Sequence, residues 1–375
     1  MKRIAMLFPG SLGSTDTPLH VPEHVDLLDR LSRQFEIIAY TLVKPDGDAS
    51  TFKCGKAKVK YVNARYDDKA WKKVLAFYGA IAIDHRSEPF DAFHGLKAIA
   101  CGLSAVMLGS RFRKKSIVSL QGGEAANLPE IDYGDLRKQP LKGLTLRTCR
   151  GADVLTALTQ FQSDALQLHG IRNSDLHVIP YGASELFFDQ SQNKTLSPPY
   201  NILHIGDLNR VKDQPTLLRA FKIISGQVDA RLRVIGADYM QGELQGLAKE
   251  LQIIDRVEFL GYIKHQELGK HLQWAHMLLH SSLYEGQGLV IAEAAASGVP
   301  VCGTRVGLIA DLEGSCCSAV PIGDFRGLAE ATLALLSDSA KYQSMKKRAA
   351  EWASEHTAQW TAEQFAGLYN ESHSI

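Results

Sequence analysis

Short apolar runs recur along the chain, separated by longer stretches with helical spacing. Runs at 3–8, 36–42, 92–94 and 116–120 predict strands in the first half, and runs at 200–205, 232–235, 256–259, 277–279 and 300–303 predict them in the second. Unbroken apolar strands suit parallel sheets buried on both faces, and alternation with helices is how such sheets are wired. Its recurrence predicts two parallel sheets covered by helices. The polar, proline-terminated stretch 190–199 reads as a linker between them. Ligands of open parallel sheets bind beyond the carboxyl ends of the strands, so two facing sheets would place a site in the cleft between them.

One strand-to-helix junction carries the most chemistry. The run Met277 to Leu283 reads as a buried strand, and Val290 to Ser297 as an alanine-rich helix closed by Gly298 and Pro300. Between them lie Glu285, Gly286, Gln287 and Gly288, with Glu293 about one turn into the helix. Free amides of Gly288, Leu289 and Val290 would face an incoming anion, and the helix dipole favours a phosphate there. Two carboxylates would repel that anion, so they suit hydroxyls, as a sugar or ribose provides. A solvated loop residue and a solvated helix residue are the plainer alternative.

Composition narrows the field. At 375 residues the chain exceeds what one core usually organises, and a net charge of +1 gives no reason to expect nucleic acid as a partner. The longest apolar stretch, 96–108, contains Lys97 and is too short to cross a bilayer, while 4–8 is far shorter than a signal-peptide core. Six cysteines lie scattered without zinc-type spacing, which fits a reducing, cytoplasmic location. Asp46-Gly47-Asp48 follows Pro45 and reads as a turn rather than a metal site. No metal or cofactor is expected.

Two more segments are suited to a phosphate or sugar. After the first strand, Pro9 to Ser14 forms a glycine-rich turn in which Gly13 lets backbone approach a ligand closely, unless it is a plain connection. After the first strand of the second half, Gly206 to Asp213 leads into a helix from about Pro215 to Ile224. Arg210 and Lys212 there could hold a diphosphate, or form an exposed basic loop.

Together these segments resemble the retaining GT-B glycosyltransferases of family 4, the glycogen-synthase-like group. Ser282 to Val301 is similar to that family's E-x7-E block with its trailing E-A-x-A-x-G-x-P-V. Val178 to Gly182, Gly206 with Lys212-Asp213, Val257 to Gly261 and Gly303 to Gly307 support the match. The resemblance implies an α/β fold of two Rossmann-like parallel-sheet domains facing across a cleft. Residues 1–189 would bind the acceptor and 200–355 the donor, with a helix in 356–375 packing back on the first domain through Trp360, Phe365 and Tyr369. It implies transfer of a sugar from a UDP- or GDP-linked donor to a hydroxyl acceptor. Glu285 would contact the sugar hydroxyls and Glu293 the ribose. Lys212 would neutralise the diphosphate with the amides of Gly288 and Leu289, and Tyr262 and Ile263 sit where relatives hold the base.

The chain departs from that pattern at two places. Many relatives carry arginine directly after the phosphate-loop glycine, where this chain has Asp207, so Arg210 is the candidate to replace that cation from a nearby position. Relatives often place a histidine where this chain reads Gln121, Gly122, Gly123, Glu124. Gln121, Gly122 and Glu124 are therefore candidates for acceptor hydroxyls, and His94 is either a further cleft residue or a packed histidine. Arg111, Arg113, Lys114 and Lys115, with the face of Trp71, Val74, Leu75 and Tyr78, suit peripheral attachment to an anionic membrane or an ordinary solvated surface.

Overall fold

A computed structural model describes residues 1–10, 12, 21–42, 54–65, 67–190 and 195–371. Gly13 and the Asp46-Gly47-Asp48 turn lie outside the described residues. The chain divides into two units, Met1–Tyr181 with Ala358–Ile375, and Gly182–Thr357.

In the first unit the chain runs β1 (Arg3–Phe8), α1 (Pro22–Leu31), β2 (Glu36–Thr41), β3 (Lys58–Tyr61), α2 (Ala70–Ser87), β4 (Ala92–Leu96), α3 (Leu103–Phe112) and β5 (Lys115–Ser119). It continues through α4 (Leu141–Gly151), β6 (Val154–Ala157), α5 (Gln160–Leu168) and β7 (Leu176–Val178). These strands form one parallel sheet in the order β3-β2-β1-β4-β5-β6-β7, so the winding reverses between β1 and β4. The strands anticipated from apolar runs are the buried ones. β3 and β7 escaped that reading because they are edge strands carrying Lys58, Lys60 and His177, and β6 because Thr156 breaks its short apolar run.

The second unit runs β8 (Tyr200–Ile205), α6 (Gln214–Gln227), β9 (Ala230–Ile235), α7 (Glu243–Glu250), β10 (Val257–Gly261), α8 (Leu268–Trp274) and β11 (Met277–His280). It continues through α9 (Leu289–Ala296), β12 (Val301–Thr304), α10 (Gly307–Asp311), β13 (Cys317–Val320), α11 (Phe325–Ser337) and α12 (Ser339–Glu355). The parallel order is β10-β9-β8-β11-β12-β13, and the winding reverses between β8 and β11. The chain enters this unit at Gly182, ahead of the polar stretch 190–199 where the sequence pattern sets the change. Phe187 is the reason: it is fully buried in the core of the second unit with Leu203, Leu272 and Ile291.

The final helix, α13 (Ala358–Asn370), belongs to the first unit and packs on α1. Its apolar face buries Phe365, Leu368 and Tyr369. Its C-terminal carbonyls face two lysines: Lys115 Nζ donates to Leu368 O at 2.9 Å and Glu371 O at 3.1 Å, and Lys2 Nζ to Tyr369 O at 2.8 Å. Cations there complement both the orphan carbonyls and the helix dipole. Lys115 is thus withdrawn from the basic surface cluster suggested by the sequence, whereas Trp71 and Leu75 are 58% and 60% exposed. No helix among the described residues is long and apolar enough to cross a membrane. All six cysteines are buried and free.

Candidate functional site

The junction singled out by sequence lies where the second sheet reverses, the position at which open parallel sheets bind ligands. Asn209 follows β8 and caps a short turn by accepting from Lys212 N at 3.2 Å. Asp213 then takes a left-handed backbone conformation and launches α6. Two bonds staple this loop to the one after β11: Ser281 Oγ donates to Lys212 O at 2.8 Å, and Leu283 N to Val211 O at 2.8 Å. The stem of Lys212 lies against Gly206, within 3.6 Å of where a Cβ would stand.

Lys212 Nζ reaches Glu285 Oε1 at 2.6 Å. The same oxygen accepts from Ser282 Oγ at 2.6 Å and from His280 Nε2 at 2.9 Å. Burial alone would raise the Glu285 carboxyl, but Lys212 and the His280 hydrogen bond outweigh it and hold it well below the ordinary carboxylate range. Gly307 makes room for this loop: at φ +52°, a Cβ there would stand 2.8 Å from Glu285 Cβ and 2.5 Å from Gln287 O. His280, Ser282 and Gly307 were not singled out by sequence as site residues. His280 could have been, as a histidine closing an apolar strand beside the motif.

Gly288, in left-handed conformation, opens α9 without any side-chain cap, so the first-turn amides including Leu289 and Val290 are left for an incoming acceptor. Glu293 is 3% exposed and hydrogen-bonded to His265 Nε2, whose ring packs edge-on against Phe187. Arg210 is exposed on the loop beside Lys212. Asp207 has a structural task there, accepting Ala237 N at 3.1 Å. After β10, Gly261 at φ +67° turns the chain; Tyr262 is 52% exposed and Ile263 packs on the core. The second unit thus groups Glu285, Lys212, Gly206 and the α9 N-terminus, with Arg210 exposed alongside.

In the first unit, Gln121, Gly122 and Glu124 form one cluster after β5. Glu124 is 1% exposed and accepts from Gln121 N at 3.1 Å and Gly122 N at 2.7 Å. Gln121 Oε1 takes Tyr181 OH at 3.1 Å and lies 3.0 Å from His24 Nε2. His94 is the packed histidine of its two readings. Fully buried, it is bonded through Nδ1 to Tyr369 OH at 2.6 Å and through Nε2 to Ser119 Oγ at 2.7 Å, and burial lowers its pKa to about 3. Its place on the middle strand β4, beneath α13, decides this.

Two doubly wound parallel sheets, the second with a cationic loop and an uncapped helix N-terminus at its reversal, define the GT-B class of architecture. Residues 187–352 match the family model "Glycosyl transferases group 1". N-acetyl-alpha-D-glucosaminyl L-malate synthase of Bacillus anthracis is 30% identical over 68% of this chain and 66% of its own length. D-inositol 3-phosphate glycosyltransferase of Corynebacterium diphtheriae is 32% identical over 59% of this chain and 56% of its own. The chain spans about half to two thirds of the length of such curated relatives. Among solved structures, sucrose-phosphate synthase from Thermosynechococcus elongatus superposes with a TM-score of 0.83 at 20% identity, covering 98% of both chains. Anabaena HepE in complex with UDP-glucose superposes at 0.75 with 16% identity, covering 98% of this chain and 99% of that one. The likeness to the glycosyl transferases group 1 family is thus carried by residues 187–352, within the second unit.

Proposed function

We propose that the protein is a retaining glycosyltransferase of the family 4 type, moving a sugar from a nucleoside diphosphate donor to a hydroxyl acceptor. The observation that carries the reading is the 2.6 Å pair of Lys212 Nζ and Glu285 Oε1 beside the uncapped N-terminus of α9. Cleaving an anomeric C–O bond places positive charge on the sugar and negative charge on the departing diphosphate. Cations and amides at that phosphate lower the barrier, and Lys212, Arg210 and the α9 amides are the groups for it. Glu285 accepts hydrogen bonds from the transferred sugar, and Glu293 from the ribose. Tyr262 and Ile263 flank the base. The acceptor hydroxyl attacks the face the leaving group vacates, and a phosphate oxygen takes its proton, so no step requires a resident metal.

A UDP-linked donor is the first to test, since HepE was solved with UDP-glucose. The names of the malate and inositol-phosphate relatives favour a small acceptor bearing an acidic group, with Gln121, Gly122 and Glu124 on the acceptor side. The exposed Trp71 and Leu75, near Lys69 and Lys72, suit peripheral contact with an anionic membrane; salt-insensitive absence from sedimented anionic vesicles rejects that part.

A thermal-shift screen with UDP, GDP, ADP and CDP and their sugars, followed by product analysis of anomeric configuration, tests the reaction. Glu285→Gln should abolish transfer with the fold intact, and Arg210→Ala should weaken nucleotide binding strongly. Donor turnover without any acceptor would instead favour hydrolysis or epimerisation, and donor binding without turnover an inactive binding protein.

A further inference from the structure

Behind Glu285 the second unit buries two histidines that the reaction above leaves without a task. His280 is 1% exposed, and its Nε2 lies 2.9 Å from both Glu285 Oε1 and Ser282 Oγ. His204, fully buried on the neighbouring strand β8, stands 6.0 Å away ring to ring.

Their partners fix the tautomers. Leu279 O can only accept, so His204 gives it Nδ1–H at 3.0 Å, and His204 Nε2 is a lone pair facing Gln214 Nε2 at 3.3 Å. An ionised Glu285 can only accept as well, so His280 must present Nε2–H to it. His280 Nδ1 is buried without a hydrogen-bond partner among the described residues. Leaving a buried ring nitrogen unsatisfied is unfavourable, so this side chain is set for the carboxylate rather than for its own packing.

Loading is one-sided. Oε1 of Glu285 carries Lys212, Ser282 and His280, while Oε2 has no hydrogen bond to the described residues. Lys212 is the one of the three that a diphosphate competes for, because its ammonium is a phosphate-binding group on a flexible stem at the loop beside Gly206. If it held Glu285 alone, donor binding would strip a buried carboxylate of its support at the moment the carboxylate is needed.

We propose that His280 is a positioning residue: together with Ser282 it keeps Glu285 ionised and fixed through Oε1, leaving Oε2 open to a sugar hydroxyl while Lys212 turns to the diphosphate. The inference rests on the donor-site reading of Glu285 and Lys212. Among the described residues, the titratable groups facing Glu285 are Lys212 from the β8 loop and His280 from β11, with His204 behind, and α10 packs against it through Gly307.

His280→Ala and His280→Gln, the latter keeping an N–H donor, test it, with Ser282→Ala as the variant that removes the hydroxyl donor. In His280→Ala, transfer kcat should fall on the order of 10- to 100-fold, the range of one hydrogen bond to a charged group. The Kd for UDP should rise by much less than kcat falls, because Ser282 still holds Oε1 when Lys212 turns to the diphosphate. His280→Gln should recover most of the loss. Carbon-13 NMR of the Glu285 carboxyl, assigned with Glu285→Gln, should show titration at higher pH in His280→Ala and Ser282→Ala than in the wild type. UDP affinity falling in step with transfer, glutamine performing no better than alanine, or an unmoved carboxyl titration overturns the proposal. The NMR readout needs no turnover, so a protein that transfers nothing yet shows the shifted titration refutes the functional reading and not this inference.

Discussion

Replacing Lys212 by methionine keeps the stem over Gly206 and removes only the charge that Glu285 depends on. The two side chains are 21% and 12% exposed, so the pair is largely out of water. At an effective dielectric of 20 and their 2.6 Å separation the attraction is about 6 kcal/mol, offset by the desolvation of both groups. Removing one partner of a buried pair costs about 3–5 kcal/mol; Ser282 and His280 still support Glu285, which lowers the expectation to roughly 2–3 kcal/mol. For a unit the size of Gly182–Thr357, each kcal/mol moves Tm by about 2–4 °C, so a fall of roughly 4–12 °C is expected. The pH dependence has a definite sign. Glu285 has a folded pKa below its ordinary 4.5, so its contribution is complete above that value and is lost as pH falls through it toward the folded pKa. In Lys212→Met, burial acts without its main counterweight and the folded carboxyl pKa rises. Urea unfolding of both proteins at pH 7, about 5.5 and about 4 should therefore give a constant difference at the upper two values and a smaller one at the lowest. A Tm change under about 1 °C, or a difference that does not narrow in acid, would refute the electrostatic account.

Three further outcomes are expected. Gly307→Ala forces a Cβ against Glu285 and Gln287 from a left-handed backbone; a loss of about 1–3 kcal/mol by urea unfolding, with transfer reduced through the displaced Glu285, should be measured. Lys115→Met leaves the α13 carbonyls of Leu368 and Glu371 without their buried cation, so hydrogen exchange should accelerate selectively in the last turn of α13, and a cost of about 1–2 kcal/mol follows. His94 and His204, both with pKa lowered from 6.5 to about 3, stay neutral in the fold but protonate when unfolded, so their stability is full above 6.5 and is lost as pH falls toward 3. Unfolding free energy should drop below pH 6.5 by up to about 1.4 kcal/mol per pH unit for each, and His94→Asn should flatten that slope; a profile level from pH 7 to 5 contradicts it.

Much of the fold was legible in the chain because both sheets are parallel and buried on both faces, which writes their inner strands as unbroken apolar runs such as Ile4 to Phe8 and Met277 to Leu279. Edge strands β3 and β7 have one flank in water and carry the polar residues that hide them. The passage between units was displaced for a similar reason: a polar stretch marks exposure, whereas the change of core is set by where Phe187 packs.

At the site, sequence alone determined the ingredients: Glu285 seven residues before Glu293, glycines at the junction, and Lys212 on the facing loop. Spacing can place these on elements, because strand and helix periods are local. Tertiary structure decided their electrical state. His280, a histidine closing an apolar strand near the motif, could be noticed in the sequence, but only the fold turns its ring to the carboxylate. The three donors on one Glu285 oxygen come from the β8 loop, from β11 and from the turn beyond it, and only the reversal of strand order between β8 and β11 makes them neighbours. The same principle separated the readings of His94. Sequence placed it at the end of a strand run, and the position of β4 under α13 buried it, where desolvation keeps the imidazole neutral and two hydroxyls occupy its nitrogens.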